Sequence, residues 1–232
     1  IMSTINKDEI NKFSKIADEW WDINGKFKPL HLFNPMRIEY ILDIASNYFK
    51  IGENKKLPLK NLKILDIGCG GGLISEPMSR LGADVTGIDA SLKNIQVANL
   101  HAKKNNLKIK YFNTVPENFD HQNEFDIILN LEVVEHVENL DLYLSSCFKL
   151  LKKNGIMFTA TINRTLTSYV KAIVGAEYIL RWLPIGTHDW NKFIKPEELE
   201  KKITDLNFST INLTGLSFNP FFKEWKRTKD LS

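Results

Sequence analysis

The eight residues Leu65-Asp66-Ile67-Gly68-Cys69-Gly70-Gly71-Gly72 restrict the fold of this chain more than any other stretch. Lys63, Ile64, Leu65 and Ile67 form the apolar, β-branched run of a strand buried on both faces of a parallel sheet, and the glycines end it abruptly. Glycine at such a turn implies a backbone at positive φ, or a ligand lying so close that a side chain would clash with it. A helix is expected from about 73 to 81, with its N-terminal amides aimed back at the ligand, and Pro77 is expected to kink or shorten it.

The ligand class follows from what surrounds the loop. The spacing Gly68-x-Gly70-x-Gly72 with Leu73 next fails the dinucleotide fingerprint at its third glycine. A second strand, residues 83–89, ends in Asp89, where a carboxylate can accept both ribose hydroxyls of an adenosine. Asp66, at the loop entrance, suits an amino-acid ammonium group. Two carboxylates beside Gly68, Gly70 and Gly72 favour S-adenosylmethionine over a pyrophosphate, because that ligand carries ammonium and sulfonium charges and no phosphate.

Downstream, strand and helix alternate as in an α/β fold. A helix is expected over about 92–105, strands over 109–113, 125–131 and 156–162, and a helix over 140–151 stopped by Lys152-Lys153-Asn154-Gly155. The loop 114–118 closes the third strand, bordering the crevice where an adenine would lie. The fourth strand delivers Glu132-Val133-Val134-Glu135-His136 at its carboxyl end, where open α/β sheets bind ligands. If that segment turns helical, Glu132, Glu135 and His136 share one face, an oxygen-dominated set suited to Mg²⁺ or Mn²⁺. The alternative is a loop whose acids bond local amides around a histidine with no ion.

Before the core, Phe13, Ile16, Ala17, Trp20 and Trp21 recur at helical spacing, residues 25–35 read as an irregular run bounded by prolines, and a helix is expected over 36–49. Arg37 would sit in its first turn, either clamping a carboxylate or solvated. After the fifth strand the apolar and basic residues of 168–183, with Lys171 and Arg181 at the edges, fit an interfacial helix or a buried lid. His188 follows in a loop as a base, a substrate contact or an exposed histidine.

The 232 residues, 43% hydrophobic and 25% charged, suit a single α/β domain. Its parts are an N-terminal helical cap over 1–50, a cofactor-binding core over 62–162, an amphipathic insert over 164–190 and a C-terminal part over 191–232. A net charge of +3 is too small to argue for nucleic acid and would not oppose an anionic membrane surface. Cys69 and Cys147 imply neither a disulfide framework nor a cysteine metal site, so a reducing cytosol is expected, and no stretch reads as a membrane span or signal peptide.

Taken with its flanks, the chain resembles the ubiquinone-biosynthesis O-methyltransferases along nearly its whole length. The motifs are Trp20-Trp21-Asp22, Phe27-Lys28-Pro29-Leu30-His31, Asn34-Pro35-Met36-Arg37, the glycine loop, residues 132–137, the run 174–181 and Gly186-Thr187-His188-Asp189. The resemblance implies a Rossmann-like class I methyltransferase fold, with a mostly parallel, doubly wound sheet between helices. It implies methyl transfer from S-adenosylmethionine to polyprenyl catechol-like intermediates at two steps. It also implies cofactor contacts at Arg37, Gly68, Asp89 and Leu131, a divalent ion at Glu132, Glu135 and His136, and His136 or His188 as proton acceptor. Its expected setting is the cytoplasmic face of a membrane, docked through the insert, beside other ubiquinone-biosynthesis proteins. Open alternatives are a metal-free methyltransferase for another substrate class and a non-catalytic membrane-surface component of the biosynthetic complex. Leu131 replaces the family's usual methionine, and the lysine-rich run 221–232 suggests that the last strand of the fold is missing.

Overall fold

A computed structural model describes residues 3–51, 56–165, 192–219 and 224–231. Five strands form one parallel sheet in the order β3-β2-β1-β4-β5: β1 Lys63–Ile67, β2 Asp84–Asp89, β3 Lys110–Asn113, β4 Phe125–Leu131 and β5 Leu151–Ala160. This is the expected Rossmann-like α/β sheet. The central strands are predominantly apolar because both faces are covered. Ile64, Val85, Ile127 and Leu129 pack with Ile41 and Ala45 of α2 (Lys28–Tyr48) and Met78 of α3 (Ser75–Arg80). On the other face Leu65, Ile67, Ile88 and Ile128 pack with Tyr143, Leu144 and Cys147 of α5 (Leu140–Leu150). Each fully buried Leu or Ile contributes about 1.5–3 kcal/mol, so this alternation fixes the register of the sheet.

The cap consists of α1 (Lys7–Lys15), a 3₁₀ turn Ala17–Glu19 and the start of α2, and Trp20, Phe27 and Leu73 share a small core there with Val97 of α4 (Leu92–Lys104). Four expectations need correction. Residues 28–35 are helical, because Pro29 lies in the first turn of α2, where a missing N–H costs nothing, and the 21-residue helix tolerates Pro35. The helix after the glycine loop runs over six residues rather than 73–81, shortened as expected with Pro77, which lies in its first turn. Residues 152–155 do not stop α5: β5 begins at Leu151, and its pairing with β4 jumps from Phe125↔Leu151 to Ile127↔Ile156, so they bulge out of the ladder. The C-terminal run also forms a strand. Beyond α6 (Pro196–Asp205), β6 (Gly215–Asn219) pairs antiparallel with β7 (Glu224–Thr228) as a separate hairpin. The hairpin lies on α2, where Arg227 bonds Asp43 at 2.7 Å and Trp225 stacks on Phe33 at 4.8 Å. The run 166–191, including Lys171, Arg181 and His188, lies outside the described residues.

Candidate active site

The glycine loop turns as its composition requires: Gly68, Gly70 and Gly72 have φ of 67°, 53° and 90°. What forbids side chains there is the protein itself. A Cβ at Gly68 would lie 2.5 Å from Val133, one at Gly70 2.4 Å from the Trp20 ring, and one at Gly72 2.5 Å from the Tyr111 hydroxyl. Trp20 therefore lies on the loop, and its indole N–H donates to Asn94 Oδ1 at 3.0 Å. Trp21 donates to the Gly71 carbonyl at 2.9 Å and stacks on His101.

Asp89, at the end of β2, accepts from the Gly70 amide at 2.9 Å, the Ser91 amide at 2.7 Å and the Asn94 side-chain amide at 3.2 Å. Burial raises its pKa, and the two backbone amides oppose that rise. Asp66 is more strongly affected: burial pushes its carboxyl up to about 7, although the Ser75 hydroxyl donates to it at 2.5 Å. A neutral acid with a cavity before it is suited to becoming charged when an ammonium arrives. Arg37 is buried between the two ends of the site, its guanidinium 3.6 Å over the Phe33 ring and ion-paired with Glu132, while its Nε has no partner among the described residues. An unpartnered buried donor fits the carboxylate of S-adenosylmethionine, as the facing Asp66 fits its ammonium.

The segment that follows β4 is not an α-helix. Glu132 has φ of 56° and Val134–His136 form a 3₁₀ turn, so the expected common face of Glu132, Glu135 and His136 does not form. Each side chain has a partner of its own. Glu132 pairs with Arg37, Glu135 accepts from the Thr161 hydroxyl at 3.0 Å, and His136 Nδ1 lies 3.0 Å from Glu9 Oε2 of α1. Among the described residues no group of three His, Cys, Asp or Glu side chains is gathered to hold a metal ion. The donor chemistry nonetheless fits a hard divalent cation: burial, then the charge of Glu132, push Glu135 up to about 8, and a cation relieves that crowding. Burial pulls the His136 pKa down, but Glu9 and the neighbouring carboxylates lift it above its ordinary value. His136 in turn holds Glu9 at about 2.

One cavity of about 1020 Å³ joins these parts, at the upper end of the size range of small-molecule sites. Arg37, Asp66, Gly68, Gly70, Asp89 and Leu131 line it together with Glu132, Glu135 and His136, whereas Gly72 is turned toward Tyr111. Thr114, Val115 and Pro116 border it as expected, but Glu117 is turned away to accept from the amide and hydroxyl of Thr4. Sequence reasoning missed Glu9 and Asn94 and assigned Trp20 to packing. Only the paired tryptophans were a signal, since the partner of Glu9 is 127 positions away.

Comparison with known proteins decides the family. A family model described as a methyltransferase domain matches residues 36–213. The chain is 62% identical over 231 residues to the ubiquinone biosynthesis O-methyltransferase of Pelagibacter ubique (strain HTCC1062), covering 100% of this chain and 96% of that one. It belongs to the ubiquinone biosynthesis O-methyltransferase family. The enzyme of the same name from Mesorhizobium japonicum is 50% identical, over 99% of this chain and 92% of its own. Among solved structures, magnesium protoporphyrin IX methyltransferase from Synechocystis PCC 6803, with bound SAM, superposes with a TM-score of 0.64 at 17% identity, covering 97% of each chain. That likeness concerns the fold alone.

Proposed function

We infer that the chain is an S-adenosylmethionine-dependent O-methyltransferase acting on a phenolic hydroxyl of polyprenyl catechol-like intermediates, at two steps of ubiquinone biosynthesis. The observation that carries this reading is the single cavity running from Asp66, Gly70 and Asp89 to His136. When bound, S-adenosylmethionine supplies a sulfonium-activated methyl group. Asp89 accepts its ribose hydroxyls, Asp66 its ammonium, Arg37 binds its carboxylate, and Gly68, Gly70 and Leu131 lie against it. Gly72 shapes the turn. The acceptor oxygen attacks in line, the new C–O bond forming as the C–S bond breaks, so the residues must hold that oxygen roughly 3–3.5 Å from the methyl carbon. Without an ion, His136 takes the phenol proton through Nε2 while Nδ1 is engaged by Glu9; where His136 ligates an ion, the base is another group. His188 is the other candidate base.

We also propose that a divalent ion, Mg²⁺ or Mn²⁺, binds to Glu132, Glu135 and His136, where its charge would lower the pKa of the catechol oxygens. The crowding of Glu132 and Glu135 supports this reading, which requires the Arg37 and Glu9 pairs to open. A polyprenyl acceptor supports peripheral action at the cytoplasmic face of an anionic membrane, alongside other proteins of the pathway, although no helix among the described residues is long and apolar enough to cross one. The deciding assay is methylation of a short-chain demethylated quinol, followed by formation of methyl ether and S-adenosylhomocysteine. Turnover is expected, along with its loss on chelation and in Glu135→Ala. Folded protein that binds cofactor but never turns over overturns the catalytic reading, and full activity after exhaustive chelation removes the ion.

A further inference from the structure

The lining of the cavity also includes apolar side chains from α2, β5 and residues 211–216, distant parts of the chain. On one side stand Tyr40 and Ile44 of α2, with Phe158 of β5 meeting the Tyr40 ring edge-on at 6.0 Å. The opposite wall is the segment 211–216, held against α2 by the Tyr40 hydroxyl donating to Asn212 Oδ1 at 2.7 Å and by the ion pair of Arg227 with Asp43. Two polar side chains of that segment are engaged: Asn212 accepts from Tyr40, and the Thr214 hydroxyl donates to the Thr228 carbonyl at 3.3 Å.

At its outer end the lining reaches the surface through Ile211 and Leu213, which are 58% and 56% exposed. One exposed leucine needs no explanation. Two large apolar side chains in three residues, in the lining of the same cavity as His136, suit the mouth of a channel for hydrocarbon. Resting on the function inferred above, we propose that the isoprenoid tail of the acceptor leaves the reaction cavity between α2 and residues 211–216, over Tyr40, Ile44 and Phe158, with Ile211 and Leu213 at the exit. A branched hydrocarbon has no hydrogen-bonding groups, so every contact along this route is one it can make, and the phenolic head is left among the polar groups at His136. Residues on this route set tail selectivity and take no part in the chemistry.

The test compares wild type with Ile211→Glu/Leu213→Glu, both positions being exposed enough to spare the fold, which circular dichroism verifies. Two acceptors are used, the phenolic head without a tail and the same head with a long isoprenoid tail in detergent micelles. The double variant should lose about tenfold in kcat/KM on the tailed acceptor, equivalent to leaving roughly two methylene groups in water. Its rate on the tail-less acceptor should stay within about twofold of wild type, as expected of surface changes away from the reacting groups. Equal losses on both acceptors, or no loss on either, overturn the channel. Wild type that methylates neither acceptor overturns the functional reading, and the channel with it.

Discussion

At the cofactor end of the cavity Asp89 takes its hydrogen bonds from residues 2, 5 and 19 positions away, whereas at the acceptor end Thr161, Arg37 and Glu9 reach the segment after β4 across 26, 95 and 127 positions. The hydrogen bonds of Asp89 are local, formed by the glycine loop, the end of β2 and the start of α4. The acceptor end exists only when the cap has closed on the sheet, and its side chains are matched in pairs that other partners can replace. A locally fixed carboxylate beside an adjustable acceptor site suits an enzyme that methylates two related intermediates.

The largest effect should come from breaking the local end. Asp89→Ala removes a carboxylate that bonds the loop and is proposed to bind the ribose, and S-adenosylmethionine affinity by calorimetry should fall by about 1.5–3 kcal/mol, the scale of hydrogen bonds to a charged group. Unchanged affinity in a folded variant removes Asp89 from the site. Next comes the dependence of cofactor affinity on pH. Asp66 keeps its proton up to about 7 in the folded protein, while an unfolded carboxyl loses it near 3.8. The folded state thus binds more protons between those values, and the contribution of Asp66 to ligand-free stability is greatest at acid pH and falls as pH rises toward 7. Pairing with an ammonium needs the charged carboxylate, so cofactor affinity should run the other way, strengthening about tenfold from pH 6 to 8 with proton release at the lower pH. Calorimetry in buffers of different ionisation enthalpy measures that release, and Asp66→Asn should abolish it.

The non-local end is probed by Glu9→Gln. Loss of the charged partner of His136 should lower kcat several-fold, at about 1 kcal/mol, while leaving cofactor affinity alone. A change in cofactor affinity with no change in kcat would contradict the division into two ends. The smallest effect expected is that of Trp21→Phe, which removes the bond to the Gly71 carbonyl and should lower thermal stability by about 1 kcal/mol.

The same division explains what could be read in the sequence. β4 was legible to the residue at Phe125–Leu131 because a strand buried on two faces has a predominantly apolar run, here broken only by Asp126 and Asn130, and the glycines marked the turn that follows β1. The prolines misled, since Pro29 and Pro35 resemble breaks until the first turn of α2 is seen to begin at Lys28. The positive φ of Glu132, which turns the segment after β4 away from a helix, has no mark in a residue that is neither glycine nor asparagine. β7 was missed because Glu224-Trp225-Lys226-Arg227-Thr228 carries one apolar residue, and its stability comes from pairing with β6 and packing on α2.

The contact of Trp20 with the glycine loop has a consequence for how the two can vary. A Cβ at Gly71 would lie 2.5 Å from Cβ and Cγ of Trp20, atoms too close to the backbone to swing aside. The two positions therefore form a compensating pair: Gly71→Ala should be strongly destabilising alone and mild beside Trp20→Ala, a coupling that a double-mutant cycle reads directly. In this chain the smallness of Gly71 is set by the cap above it, and a lineage that lost the tryptophan would be free to lose that glycine.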